Sequence, residues 1–155
     1  MAAVNLKVRG GNRMRAYLAG LEAAVGGASG VRVGFLEHST YPSTPSESGL
    51  HVAQVAFYNE FGTSRAPARP FFRNMIKAEL GDWGAKLKKY LRGADFDTDI
   101  AFGLLGTDIK DALVDSIRRW PADNAPSTVR RKGFNHGLID RGVMLRATEY
   151  EVLNR

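Results

Sequence analysis

The 155-residue sequence predicts an α+β fold in a single domain, residues 1–155, with three to four helices packed on a small mixed or antiparallel sheet that includes a C-terminal strand. Two observations favour this class. Apolar residues recur every three or four positions at 72–91 and at 105–117, as on helices that pack by one face. Apolar and polar residues alternate at 31–36 and again at 144–152, as on half-buried strands, and we expect these two strands to pair.

The N-terminal part of the chain begins with a predicted helix at Asn12–Val25. Its apolar side chains follow helical spacing, and Gly26 and Gly27 end the pattern. The predicted strand 31–36 follows. Two prolines and several Ser and Thr residues then indicate a surface loop near 38–50.

The next segment combines an apolar helix with a stiff turn. Residues 52–61 are apolar over a wider arc than a normal core stripe, and Gly62 supplies a stop at the C-terminal end. Pro67 and Pro70 bracket Arg69. Because each proline fixes its own φ and pushes the preceding residue towards extended geometry, we expect Arg69 to lie on an extended turn just before a new helix.

Two long helices and a closing strand complete the predicted elements. The first helix stops at Gly93 and carries an apolar stripe made of Phe72, Ile76, Leu80, Trp83, Leu87 and Leu91. The second ends at Pro121 and carries a stripe made of Leu105, Ile109, Leu113 and Ile117. Glycines, prolines and weak periodicity predict a long connecting loop at 121–142, and the terminal strand follows from Met144 to Val152.

Composition and motif spacing argue against an enzyme. The chain has no cysteine, which excludes disulfides, thiolate metal sites and cysteine nucleophiles. His38, His51 and His136 lack the spacing of metal ligands, and neither a GxSxG nor a GK[ST] motif occurs. No apolar run reaches the roughly 20 residues of a membrane helix, and the N-terminus lacks the apolar core of a secretory signal. We therefore expect no catalytic residues, no metal, no cofactor and no membrane contact.

Glu60 is the only acidic residue in its apolar segment, which makes it the one candidate for a general acid. No second carboxylate lies at a convincing spacing. We expect Glu60 instead to pair with Arg65 or Arg69 and to stabilise the turn.

The net charge of +6 is distributed unevenly. Residues 65–92 hold eight basic and two acidic side chains, whereas residues 93–117 hold six acidic side chains and one basic one. Such opposed blocks can align neighbouring elements or subunits, or can simply be two solvated helix faces. A separate basic cluster, Arg130, Arg131 and Lys132, could face DNA phosphates, with a solvated loop or a contact to an acidic protein as the alternatives.

Two short motifs stand out by their order and spacing. The first is Asn59-Glu60-Phe61-Gly62-Thr63 followed by Pro67-Ala68-Arg69-Pro70-Phe71. The second is Pro126-Ser127-Thr128, then Lys132, then Leu138-Ile139-Asp140-Arg141-Gly142 and a closing strand. Together they resemble the motifs of a family of small tail proteins of tailed bacteriophages. The chain departs from the family pattern at Arg141, where Thr is usual, and at Ala66, where a larger aliphatic residue often precedes the proline. The resemblance covers roughly residues 31 to 152 and is to tail-completion or head–tail joining proteins, also called minor tail or virion morphogenesis proteins.

The resemblance implies a structural virion protein, assembled in the host bacterial cytoplasm, that forms a ring at the neck or at the head-proximal end of the tail. Its expected partners are copies of itself, as a hexamer or alternatively a dodecamer, connector or head-completion proteins, tail terminator or tail tube proteins, and genomic DNA in the channel. The expected protein-contact residues are Phe57, Tyr58, Phe61, Arg69 and Phe71, with Arg130, Arg131 and Lys132 nearest any DNA. The alternative from another class is a free, basic protein that binds double-stranded DNA.

Overall fold

Helices dominate the structure, a computed structural model that describes residues 11–36, 38–42 and 49–154. The described elements confirm the α+β class. In chain order they are α1 Gly11–Val25, β1 Ala28–Phe35, α2 Val52–Phe61, α3 Phe71–Gly93, α4 Thr98–Arg118, α5 Pro126–Lys132, α6 Val143–Arg146 and β2 Thr148–Asn154. None of the helices in these ranges is both long and apolar enough to cross a bilayer.

The two strands pair as predicted and form an antiparallel sheet. Val31 lies opposite Val152 and Phe35 lies opposite Thr148, with an irregularity in the register between Ala28 and Gly30. The sheet therefore joins a strand near the start of the described chain to one at its end.

The prediction for the C-terminal strand was wrong in its first residues. Val143–Arg146 forms the short helix α6, and the strand begins at Thr148. Gly142 adopts a left-handed conformation (φ 69°) that starts the turn, and the Ala147 N–H donates to the Val143 carbonyl oxygen. Helical bonding turns Met144 into the core, which the alternating pattern could not anticipate.

The prediction of an unstructured connection at 121–142 was also wrong in part, because it contains α5. Pro126 occupies the first turn of this helix and Gly133 ends it at φ 80°, with its N–H donating to Val129. Both the proline and the glycine are visible in the sequence, but they enclose a helix of only seven residues.

In the predicted loop near 38–50, a hydrogen bond from Tyr41 N to Leu50 O joins the two ends, and residues 43–48 lie outside the described ranges.

The core lies between α4, α3, α2 and the sheet. The predicted α4 stripe is confirmed, since all four of its members are buried. The predicted α3 stripe is confirmed in part: Phe72, Ile76, Trp83 and Leu87 pack against the core, whereas Leu80 is exposed. The buried side chains of α3 are Phe71 and Met75, which lie outside the predicted stripe. The core cluster consists of Val52, Ala56, Phe71, Met75, Leu105, Ile109, Leu113, Ile117, Leu138, Met144 and Ala147.

A glycine sets how closely α4 approaches the sheet. A Cβ at Gly106 would lie 2.6 Å from Tyr150 Cδ2 and 2.8 Å from Val31 Cγ2, whereas a Cβ at Gly103 meets nothing within 4 Å.

We expect Gly106→Ala to destabilise the protein by about 1–3 kcal/mol through overpacking. The matched variant Gly103→Ala should stabilise it by up to about 1 kcal/mol through helix propensity. Urea unfolding of both variants checks this, and equal effects would contradict it.

Candidate functional site

The turn between α2 and α3 is the structural centre of the first motif. Gly62 ends α2 at φ 77°, and a Cβ there would lie 2.8 Å from Ala68 N, so only glycine fits. Thr63 and Ala66 form an isolated bridge across the turn. The Arg69 N–H then donates to the Asn59 carbonyl oxygen at 2.7 Å, which folds the chain back onto the end of α2. We call residues 59–73 the corner.

Glu60 caps the helix that follows the corner. Its carboxylate accepts from Phe72 N at 2.9 Å and from Arg73 N at 3.2 Å, two N–H groups that lack a partner inside α3. Pro70, the residue before α3, provides no side-chain cap. Arg73 Nε also donates to Glu60, at 2.7 Å. The prediction that Glu60 pairs with Arg65 or Arg69 was therefore wrong. Its partner is Arg73, because the carboxylate points towards the start of α3.

Arg69 is buried and binds the segment that immediately precedes the second motif. Only 8% of the residue is exposed, and its Nε donates to Asp123 at 2.8 Å. Its two terminal nitrogens donate to Asn59 at 3.3 Å and to Asn124 at 3.5 Å. The prediction of Arg69 as a contact residue for a neighbour was wrong, since the guanidinium is committed to bonds within its own chain.

Asp123 is the residue at this site that sequence reasoning missed. It accepts from both Arg69 Nε and Trp120 Nε1. Burial acts to raise the pKa of the Asp123 carboxyl, but these hydrogen bonds and the charge of Arg69 outweigh it and hold the pKa below its ordinary value. The available signal was that Asp123 is the only acid between Asp115 and Asp140.

Phe71 was also expected at a contact surface, and this prediction was wrong. Its exposed fraction is 0%, and its ring meets Phe35 edge-on at a centroid distance of 6.4 Å. The Ser116 hydroxyl donates to the Phe71 carbonyl oxygen at 2.7 Å. Pro70 immediately precedes α3, and Phe71, the first residue of the helix, faces the core. The aromatic ring of Phe71 therefore contributes to core packing.

The other three predicted contact residues form an exposed aromatic surface. Phe57, Tyr58 and Phe61 are each more than 40% exposed, and we call them the α2 patch. The Phe57 and Phe61 rings lie 4.6 Å apart, and the Arg73 guanidinium lies 4.8 Å from the Phe61 ring centre. The opposite side of α2 is buried. The helix therefore presents apolar side chains in two directions, and the described residues cover only one of them.

A polar cleft of about 550 Å³ lies between the corner, α5 and the 137–140 segment. Four basic and two acidic side chains line it: Arg65, Arg69, Arg131, Lys132, Asp123 and Asp140. Two of the three residues predicted to face DNA thus share this cleft, whereas Arg130 is exposed outside its lining.

Lys132 makes contacts within its own chain that the prediction of a DNA contact did not anticipate. Its Nζ donates to the His136 carbonyl oxygen at 2.7 Å and lies 4.9 Å from the Phe134 ring centre. Burial, the largest cause, lowers the pKa of Lys132, and the charges of Arg69 and Arg131 add to this effect. All three basic residues occupy the last turn of α5, where positive charge also stabilises the helix dipole.

Histidine and carboxylate positions in the described part of the chain do not form a metal centre. No group of three or more such side chains is close enough to hold an ion there. His136 has a structural environment: its Nε2 lies 2.9 Å from the Arg118 carbonyl oxygen, and its Nδ1 accepts from Leu138 N and Ile139 N.

No family model, no curated protein and no solved structure matches this chain. The functional conclusions below therefore depend on the motifs and on the geometry of the corner, the α2 patch and the cleft.

Proposed function

We propose that the chain is a structural protein of a tailed-bacteriophage virion that forms a ring at the neck or head-proximal tail end and completes the tail or joins it to the head connector. The observation that carries this proposal is the α2 patch. Three neighbouring aromatic side chains stay in solvent on a helix whose other face is core. Aromatic side chains of this size bury about 150–250 Å² each when covered, which makes them typical anchors of protein interfaces.

The two motifs of the resemblance also support the proposal, because they lie together in space. The first motif forms the corner, and the second follows the Asp123–Asn124 pair that binds Arg69. Residues of both motifs line the same cleft beside the corner, among them Arg69 and Pro67 from the first and Lys132 and Leu138 from the second. A rigid support of this kind holds a contact surface in one orientation.

The expected assembly is a ring of identical subunits, six or alternatively twelve. Connector or head-completion proteins and tail terminator or tail tube proteins are its neighbours along the tail, and genomic DNA passes through its channel. Recognition in such a ring requires no catalytic group. The exposed Arg130 and Arg131 side chains are the residues that would approach DNA phosphates.

Replacing the α2 patch is expected to abolish assembly while leaving the fold intact. The double variant Phe57→Gln with Phe61→Gln removes two exposed rings but keeps good helix formers, so the free energy of unfolding should change by less than about 1 kcal/mol. Native mass spectrometry and sedimentation velocity should find rings for the unmodified chain at high concentration and monomers for the variant. Leu80→Gln, at a similarly exposed position on α3, is the control and should still assemble.

Two outcomes would contradict the proposal. One is a chain that remains monomeric at all concentrations and is absent, by mass spectrometry, from particles produced by cells carrying its gene. The other is a monomer that binds double-stranded DNA tightly with a steep salt dependence, which is the behaviour of a free DNA-binding protein. The ring proposal instead expects weak DNA binding before assembly.

A further inference from the structure

The first helix carries an apolar surface that nothing in the described chain covers. Met14, Tyr17 and Leu18 lie on one face of α1 and are each more than half exposed. Every described side chain from Asn12 to Gly20 is exposed. Arg13 and Arg15 flank the apolar residues, so the N-terminal half of this helix is amphipathic and basic.

A second apolar surface that is exposed in the described chain lies at the start of α4 and has the opposite charge. Ile100 and Leu104 are four residues apart on one face of this helix, and Phe96, just before the helix, is also exposed. The charged residues between Asp95 and Leu104 are all acidic: Asp95, Asp97 and Asp99. We call this surface the acidic stripe.

The backbone at the start of the acidic stripe is held in an unusual conformation. Asp95 and Phe96 have φ values of 49° and 66°, a left-handed region that bulky residues rarely adopt. The Phe96 N–H donates to the Leu91 carbonyl oxygen at 2.7 Å, which maintains the turn. The turn ends α3 and places Phe96, which is 39% exposed, just before α4.

The two surfaces are complementary in charge. Arg13 and Arg15 lie on α1, whereas Asp95, Asp97 and Asp99 lie beside the stripe. The Arg side chains of α1 would meet Asp side chains beside the stripe, which steers association and fixes register. An amphipathic helix that places its apolar face on such a surface is a common mode of recognition.

We propose that α1 of one copy of this chain binds the acidic stripe of the next copy. In its own chain the side chains of residues 12–20 on α1 are exposed, and the turn after the helix packs closely on the start of α4: a Cβ at Gly27 would collide with Asp99. Because the helix and the stripe are different surfaces, the contact is head-to-tail, and repeated head-to-tail contacts close into rings or extend into filaments. The inference rests on the self-association required by the proposed function, but not on the identity of the particle.

The absence of cysteine makes the contact directly testable in the full-length chain. Leu18→Cys and Ile100→Cys are prepared separately, mixed and oxidised mildly. A disulfide requires Cα atoms within about 7 Å, so a crosslinked dimer reports the contact. The double variant, which carries Leu18→Cys and Ile100→Cys in the same chain, should give a ladder of dimers, trimers and larger species that ends at the ring size. Leu104→Cys is tested in parallel as a second position on the stripe, and Leu80→Cys, on α3, is the control that should not crosslink with Leu18→Cys.

Three outcomes would overturn the inference. The first is crosslinking of the double variant within a single chain, independent of dilution, which would place α1 on its own stripe. The second is dimerisation of Leu18→Cys alone to the same extent, which would pair α1 with α1. The third is no excess over the Leu80→Cys control at either stripe position.

A charge-reversed α1 tests the electrostatic part of the contact. Arg13→Glu with Arg15→Glu should lower the yield of crosslinked dimer, and added salt should lower the yield of the unmodified pair. An unchanged yield in the reversed variant would overturn the pairing of basic helix and acidic stripe. A crosslinked ladder from a protein that is absent from particles would separate the two proposals, since it would retain this contact and remove the virion role.

Discussion

Arg69→Ala is expected to destabilise the protein by about 2–4 kcal/mol, because it leaves a partly buried carboxylate without its cationic partner. Arg69 is 8% exposed, and its guanidinium binds Asp123, Asn59 and Asn124, three residues from two separate parts of the chain. Arg69→Lys keeps the charge but loses the planar arrangement of donors, so we expect roughly half of that loss.

Urea unfolding followed by circular dichroism measures these effects. Arg65→Ala is the matched control, since Arg65 lies in the same turn but is exposed, and it should change the free energy of unfolding by less than about 0.5 kcal/mol. An effect of Arg69→Ala no larger than that of Arg65→Ala would show that the bonds of Arg69 contribute nothing to stability.

The same ion pair predicts a pH dependence. The pKa of Asp123 lies below its usual value in the folded protein, so the folded state binds this proton less readily than the unfolded state. The stabilisation is then fully present above the unfolded pKa of about 4 and is lost as the pH falls through the lower folded pKa. The stability difference between the unmodified chain and Asp123→Asn should be constant above about pH 5 and shrink in more acidic solution.

Glu60→Ala is the second substitution with a large expected effect, again about 2–4 kcal/mol. It removes the acceptor of two N–H groups in the first turn of α3 and of the Arg73 side chain. Hydrogen bonds to a charged acceptor are the stronger kind, and the unpaired donors at a helix start lose their cap. In Glu60→Gln one oxygen still accepts, but the amide nitrogen faces donors, so we expect an intermediate loss.

Thermal and urea unfolding check the Glu60 series. Glu79→Gln is the control, because Glu79 also pairs with a basic residue, Lys86, but both side chains are 35% exposed. Exposed pairs of this kind contribute about 0–1 kcal/mol. If Glu60→Ala and Glu79→Gln proved equally mild, the carboxylate would not be the cap of α3.

The fold was predictable where one periodicity holds over a whole element. The α4 stripe continues unbroken from Leu105 to Ile117, and its members are buried. The strand pairing followed from two alternating segments. Prediction failed for Val143–Arg146, where apolar residues satisfy a strand pattern and a single helical turn equally well. It also failed for α5, whose seven residues are too few to establish a period.

At the candidate site, sequence reasoning located the corner but not the direction of its side chains. The prolines correctly marked Arg69 as conformationally special, yet the chain folds back so that its guanidinium points inward to Asp123. That partner is 54 positions away, and no local pattern links the two residues. Phe57, Phe61 and Phe71 are the same residue type in one segment, and only the packing of α3 on α4 separates the buried ring from the exposed ones.

The two halves of this fold differ in how far apart their bonded residues are along the chain. The carboxylate of Glu60 reaches Phe72 across 12 positions, whereas Ser29 Oγ on β1 donates to Leu153 on β2 across 124. The entropy lost on closing a loop rises with its length, and contacts between distant residues slow folding. The corner can therefore form as a local event, but the sheet that covers α4 must wait for the two ends of the described chain to meet. Until then, the side of α4 that the sheet covers in the folded protein is open to solvent, and the time spent in that state depends on how fast the two ends meet.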